Sequence, residues 1–265
     1  MNSAVLVALI ASVTAVTVSC VGVVLNLWVA GRMRRTQTLD LVARYRDPLL
    51  WAAFDLRSRL FNIVAKDFLR VCREGGDEEW KYAQNSTLFL LAEYLGWVEI
   101  LRRGVQFLDL GDDSRNRTLV DLFHRVDRAF ASLKLQDGAL RLHRGDQRAI
   151  GELMITAGST PGNERECIGF ATFCVRLEQD ENFGSWFKRL ITDIEVLAER
   201  EVPRTERLVD LQNRLMDLID FLDPHAVRFP SRRRDRLFLW PPEGQVESGG
   251  DSAQRSVHGG SPTPE

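Results

Sequence analysis

The chain has 265 residues, with 35 Lys and Arg against 37 Asp and Glu, and a formal net charge of −2 at pH 7. This near balance of positive and negative charge argues against nucleic acid as a partner. Its length suffices for one domain with a substantial hydrophobic core. The four cysteines form no Cys-x-x-C pair, and none lies near a histidine at zinc-ligand spacing. The sequence therefore predicts neither a bound metal nor a cofactor.

An uncharged stretch near the N-terminus, residues 4–30, organises the rest of the chain. It exceeds the roughly 20 apolar residues that a helix needs to cross a bilayer. Arg32, Arg34 and Arg35 follow it, whereas residues 1–3 carry no basic side chain. The positive-inside rule places these arginines at the cytoplasmic membrane surface. We therefore predict a single-pass protein of the cell membrane, in contact with the lipid bilayer, with its N-terminus outside and its C-terminal domain in the cytoplasm.

Alternative interpretations of this stretch are weaker. A cleaved signal peptide would have basic residues before a shorter apolar core, and here they follow a long one. Small side chains recur every four residues in two rows, which permits close pairing of two such helices in a membrane. A homodimer through the transmembrane helix is therefore one open prediction. The rows are Ala4, Ala8 and Ser12, and Ala11, Ala15 and Ser19.

Helical spacing of apolar residues dominates the remaining sequence. Asp47-Pro48 resembles a helix start, and the pattern predicts a helix from there to about residue 73. The next predicted helix, about 80–111, is apolar nearly all round between residues 88 and 101, which indicates burial on several sides. That run is too short and carries two glutamates, which argues against a second membrane span. Further helices are predicted at about 114–135, 146–156, 164–179, 182–201 and 203–222.

No pair of strands is predicted, because no hairpin turn separates two alternating runs. We therefore predict an all-α fold, with one N-terminal transmembrane helix, a cytoplasmic bundle of about six or seven helices and a C-terminal tail. The tail is rich in Gly, Ser and Pro, so we expect it to be disordered. The boundaries are 1–35 for the anchor, 36–46 for a juxtamembrane connector, 47–224 for the bundle, 225–242 for a basic and aromatic segment, and 243–265 for the tail.

Two glutamates of the central helix stand out, because their neighbours are so apolar. Glu99 has Arg102 and Arg103 as partners at positions i+3 and i+4. Glu93 has none nearby in sequence, and Arg57 or Arg59 would reach it if the two helices packed antiparallel. A structural ion pair is the simpler hypothesis. The alternative is a polar ligand-binding pocket formed by Arg57, Arg59 and Glu93.

Other candidate groups have simple structural interpretations. Cys167 and Cys174 are seven residues apart on a predicted helix, which favours two small core residues over a redox pair. His124 and Asp127 would face each other at i, i+3, an arrangement that is common on helix surfaces and gives no metal site by itself.

A late basic segment is the second candidate for membrane contact. It contains Arg228, Arg232, Arg233 and Arg234, with aromatic residues alongside. Each basic residue near an anionic leaflet contributes about 1 kcal/mol of attraction. A solvated tail segment explains the same pattern equally well.

No standard catalytic or nucleotide-binding signature occurs in the sequence, so no catalytic residue is predicted. An enzyme is therefore the less favoured hypothesis. The favoured hypothesis is a membrane-anchored cytoplasmic helical domain that acts in interaction, sensing or scaffolding with a protein partner. The alternative is a membrane-tethered enzyme or ligand-responsive effector with a polar site near Glu93.

Overall fold

The computed structural model describes Gly22 and residues 45–104, 113–135, 139–158, 165–199, 205–230 and 234–238. This part of the chain is mostly helical and forms an all-α bundle, which confirms the predicted class. None of its helices is both long and apolar enough to cross a membrane. The predicted membrane span lies outside the described residues except for Gly22. Arg32, Arg34, Arg35, most of the connector and the tail, for which disorder was predicted, also lie outside the described residues.

The helices and strands are numbered in chain order. Helix α1 covers residues 45–66 of the described chain. The others are α2 (Phe68–Glu74), α3 (Asp77–Gly104), α4 (Asp113–Ala131), α5 (Arg144–Leu153), β1 (Ile155–Ala157), β2 (Arg165–Cys167), α6 (Phe170–Gln179), α7 (Glu181–Ser185), α8 (Lys188–Glu199) and α9 (Glu206–Leu222).

The first predicted helix differs from the structure at both ends. Residue 45 is already helical, so Asp47-Pro48 does not begin the helix. Asp67 adopts a left-handed conformation, with φ of 48° and ψ of 35°, and separates α1 from α2. Aspartate tolerates this region better than most residues, because its short polar side chain bonds locally. In this case Oδ2 of Asp67 accepts a hydrogen bond from Arg70 at 3.0 Å.

The absence of strands was a wrong prediction. Strands β1 and β2 pair antiparallel, with Ile155 opposite Cys167. Each has three residues, too few for the two-residue alternation of a strand to show in the sequence. Cys167 therefore lies on a strand and Cys174 on α6, and they share no helix face.

Helix α3 is the centre of the bundle. It packs against α2, α5, α6, α8 and β2, as its all-round apolar sequence predicted. It runs without a break through Ser86 and Thr87, whose hydroxyls both donate to the Ala83 carbonyl, at 3.3 Å and 2.7 Å. The buried apolar side chains of α3 are Leu88, Leu91, Tyr94, Leu95, Trp97, Ile100 and Leu101.

Two glycines set the closest approaches to α3. A Cβ at Gly151 of α5 would lie 2.6 Å from the Leu95 carbonyl oxygen. A Cβ at Gly96 of α3 would lie 2.6 Å from the Cys167 sulfur. No side chain fits at either position, so α5 and β2 lie directly on the α3 backbone.

The segment after α9 folds back over the bundle. We call residues 226–230 and 234–238 the C-terminal strap. Phe229 is 1% exposed and stacks on Phe54 of α1, with ring centroids 3.7 Å apart. Trp51 meets the same ring edge-on at 4.7 Å. The strap thus joins the last helix to the first.

Candidate functional site

Glu93 is a half-buried carboxylate on the central helix. Burial, followed by repulsion from Asp55, raises its pKa from 4.5 to about 7. A carboxyl group with such a pKa changes charge near neutral pH, which is a property enriched at functional sites. The charged group that acts on Glu93 is thus the carboxylate of Asp55. Among the described residues, Glu93 forms no ion pair with an arginine.

Asp55 and Cys167 are the neighbours of Glu93 that sequence reasoning missed. Burial raises the pKa of Asp55 above its ordinary value. The Cys167 thiol donates to the Glu93 carbonyl oxygen at 3.7 Å. Burial is the largest cause that raises the pKa of Cys167, and the nearby carboxylates of Glu93 and Glu166 raise it further. Its thiol is therefore not activated as a nucleophile. Asp55 lies in an apolar helical run, the same signal that singled out Glu93.

Arg57 and Arg59 both turn away from Glu93. Nη2 of Arg57 donates to the Asp235 carbonyl of the strap. The Arg59 guanidinium lies over the Phe68 ring, 4.1 Å from its centroid. The predicted three-residue constellation is therefore distributed over different parts of the bundle. Within the described chain, Nε of Arg57 and Nη1 of Arg59 are buried without a hydrogen-bond partner.

We expect the Glu93→Gln variant to be more stable than the wild type at pH 8 and nearly equal to it at pH 5. Between pH 4.5 and about 7 the folded state holds a proton on Glu93 that the unfolded state has lost. The free energy of unfolding therefore falls as pH rises through this window, and glutamine avoids the loss. The gain at pH 8 is on the order of 2–3 kcal/mol. Urea unfolding of the full chain in mild detergent at both pH values measures it.

Glu78→Gln is the matched control for this prediction. Glu78 lies on the same helix and is exposed, in the first turn of α3. Its replacement should change stability by less than about 0.5 kcal/mol at either pH. An equal gain at pH 8 in both variants would show that burial of Glu93 is not the cause.

The strap arginines take a different position from the predicted membrane-surface contact. The Arg234 side chain is 11% exposed, and its guanidinium pairs with Asp220 of α9 at 2.8 Å and with Asp223, the residue after α9, at 2.7 Å. Arg228 is half exposed and pairs with Asp47 at 2.7 Å. Arg234 is thus directed inward, because α9 presents carboxylates that the linear sequence does not place beside it. Arg232 and Arg233 lie outside the described residues.

Asp223 anchors the strap backbone. It accepts backbone N–H groups of Val227, Arg228 and Phe229 at 2.9–3.1 Å. Burial alone would raise the pKa of Asp223, but these donors and Arg234 hold it below its ordinary value. The strap therefore rests on a carboxylate that stays ionised at neutral pH.

Glu99 has the partners that its spacing predicted. It is buried and pairs with Arg102 and Arg103. Burial alone would raise the pKa of Glu99, but hydrogen bonds from both arginines lower it. Arg103 also reaches Glu152 of α5, so this network ties α3 to α5.

A cavity of about 280 Å³ lies next to this network, between α3, α4 and α5. His124 and Asp127 line it from α4, with Nδ1 and Oδ2 3.9 Å apart. Burial raises the pKa of Asp127, against the opposing effects of His124, Arg144 and Arg102. Among the described residues, no group of three or more His, Cys, Asp or Glu is placed to hold a metal ion. Three arginines line the cavity, and of these the sequence pointed to Arg102 but not to Arg144 or Arg148 of α5.

Comparison with protein-family models, curated proteins and solved structures found no match to this chain.

Proposed function

We propose that the chain is a single-pass membrane protein whose helical domain lies in the cytoplasm and acts by binding, as an interaction, sensing or scaffolding module. The observation that carries the proposal is the uncharged run 4–30, followed directly by Arg32, Arg34 and Arg35.

The connection between the uncharged run and the helical domain is short. Fourteen residues separate Ala30 from Tyr45, where the described part of α1 begins. Even a fully extended connection of that length spans only about 50 Å. The bundle would thus be held close to the inner leaflet, where membrane-bound partners and lipid headgroups are concentrated.

Alkaline extraction of membranes tests the anchor. The full chain should stay in the membrane pellet, and a Val16→Asp/Val18→Asp variant should be released, because each central charge costs roughly 2.5–3.5 kcal/mol. A Val16→Leu/Val18→Leu variant is the matched control and should stay in the pellet. Release of the unmodified chain would contradict the proposal.

Protease digestion of a C-terminal tag tests the orientation. We expect cleavage in inverted membrane vesicles and protection in right-side-out vesicles, since the arginines lie on the cytoplasmic side. The reverse pattern would place the helical domain outside the cell.

A ligand-responsive effector with a polar site near Glu93 is the second candidate. The half-buried carboxylates of Glu93 and Asp55 favour it, since a bound cation would relieve their repulsion. Spermidine is a suitable probe, because its ammonium groups would keep both carboxylates ionised. A rise in Tm at pH 8 in the wild type, lost in the Glu93→Gln variant, would support this candidate. An equal rise in both proteins would exclude Glu93 from the site.

A further inference from the structure

We propose that the cavity between α3, α4 and α5 binds a phosphate ester, with Arg144 and Arg148 as its principal anion-binding residues. Both arginines line the cavity from the first two turns of α5. Neither makes a hydrogen bond or an ion pair within the described part of the chain, and both are exposed. The proposal rests on the described helices and is independent of the membrane anchor.

The charges around the cavity favour an anion. Three arginines line it, Arg102, Arg144 and Arg148, against the carboxylates of Glu99 and Asp127. Glu99 is already engaged, because Arg102 donates to it at 2.7 Å and 2.5 Å and Arg103 donates at 2.5 Å. Asp127 offsets part of the charge of Arg144, and the two guanidinium groups of α5 remain the larger charge available to a ligand. Planar guanidinium groups bind phosphate oxygens in pairs, which suits a dianion held by two arginines.

The position of the arginines on α5 adds to this preference. Arg144 is the first residue of the helix. The partial positive charge of a helix N-terminus attracts anions close to it. Arg144 therefore lies at the positive end of the helix dipole, which the Asp146 carboxylate of the capping box partly offsets.

The other walls of the cavity indicate the remainder of the ligand. Leu95 and Val98 of α3 give it an apolar side, and the Gln147 amide is fixed by the carbonyls of Asp127 and Leu142 at 3.1 Å and 3.0 Å. A volume of about 280 Å³ is near the lower limit for small-molecule sites. The site therefore suits a phosphate group attached to a small apolar body, whether a soluble phosphomonoester or a lipid headgroup.

A second depression shows that the number of arginines alone does not make an anion-binding site. It has about 400 Å³ and lies between α4 and α9, lined by Arg125, Arg128 and Arg214. Arg125 pairs with Asp121 at 2.7 Å, and Arg214 pairs with Asp210 at 3.1 Å. Arg125 and Arg214 are thus engaged by carboxylates in direct ion pairs. Arg148 makes no ion pair in the described chain, and Arg144 is near enough to Asp127 to lower its pKa but forms no ion pair with it.

Calorimetric titration of the full chain in nonionic detergent tests the proposal, with phenyl phosphate and dioctanoyl phosphatidic acid as probes at constant ionic strength. We compare the wild type with Arg144→Gln/Arg148→Gln. Arg125→Gln/Arg214→Gln is the matched control, because it removes the same charge from exposed positions. The α5 variant should keep the wild-type Tm without a probe, since its arginines make no described bond.

Saturable binding that weakens at least about tenfold in the α5 variant and stays unchanged in the control supports the site. Binding of phenyl phosphate identifies a soluble ligand, and binding of phosphatidic acid alone identifies a lipid headgroup. Equal affinity of wild type and α5 variant would overturn the proposal. So would the absence of saturable binding of both probes up to about 10 mM, beyond which affinity has no practical meaning.

Discussion

Replacing Arg207 with methionine is expected to destabilise the protein by about 3–5 kcal/mol. Arg207 is a fully buried side chain, at the start of α9. Its guanidinium donates to the carbonyls of Ala129, Phe130 and Ser132, at 2.7 Å, 3.0 Å and 2.8 Å. These carbonyls belong to the last turn of α4 and the residue after it, where a helix has no N–H donors of its own for them. Methionine fills a similar volume but donates to none of them, so the Ala129 and Ser132 carbonyls lose this donor and the Phe130 carbonyl keeps only the Leu142 N–H.

Arg214→Met is the matched control for this prediction. Arg214 lies on the same helix, is 39% exposed, and makes an i, i+4 ion pair with Asp210. Exposed pairs of this kind contribute little, so the loss should stay under about 1 kcal/mol. Urea unfolding of both variants in detergent gives the comparison. A similar small loss in both would mean that Arg207 does not hold the end of α4.

Arg207 also shows what local pattern cannot reveal. In the sequence, Arg207 is an arginine like many others. It stands at the start of an amphipathic helix, where such a side chain is normally solvated. Its burial depends on the packing of α9 against α4, which brings carbonyls 75–78 residues away into reach. No spacing rule within one helix contains this information.

Helix α3 is the opposite case, because its own sequence determined its place. A stretch that is apolar on every side has to be covered on every side, so the centre of the bundle could be predicted. The pair of Glu99 with Arg102 and Arg103 was predictable for the same reason, since its partners lie one turn away.

The candidate site could be predicted only in part. Sequence reasoning identified Glu93 as a carboxylate in an apolar setting, and the structure places it half buried. The described contacts of Arg57 and Arg59 lie elsewhere, at the Asp235 carbonyl and the Phe68 ring, and the α1 side chain that acts on Glu93 is Asp55. Arg144 and Arg148 of the cavity were not identified, because exposed arginines on α5 differ from others only through what faces them across the bundle.

Replacing Phe229 with alanine is expected to cost about 3–5 kcal/mol, as is usual for a buried phenylalanine. The ring loses its stacking on Phe54 and its edge contact with Trp51. The prediction distinguishes a basic segment that packs on the domain from a solvated tail segment. Replacing Phe229 in a solvated tail would leave the stability almost unchanged. Urea unfolding of the full chain in detergent measures the change, and the emission of Trp51, already 52% exposed, should shift further to the red.

Phe238→Ala is the matched control, because Phe238 belongs to the same strap and is 84% exposed. Its replacement should change stability by less than about 0.5 kcal/mol. A large cost at Phe229 alone would mean that the strap is part of the folded domain, with Arg234 held by Asp220 and Asp223 rather than by lipid. Small changes in both variants would instead mean that the segment lies in the solvent or at the membrane surface. The strap would then no longer account for the burial of Arg57, whose guanidinium donates to the Asp235 carbonyl.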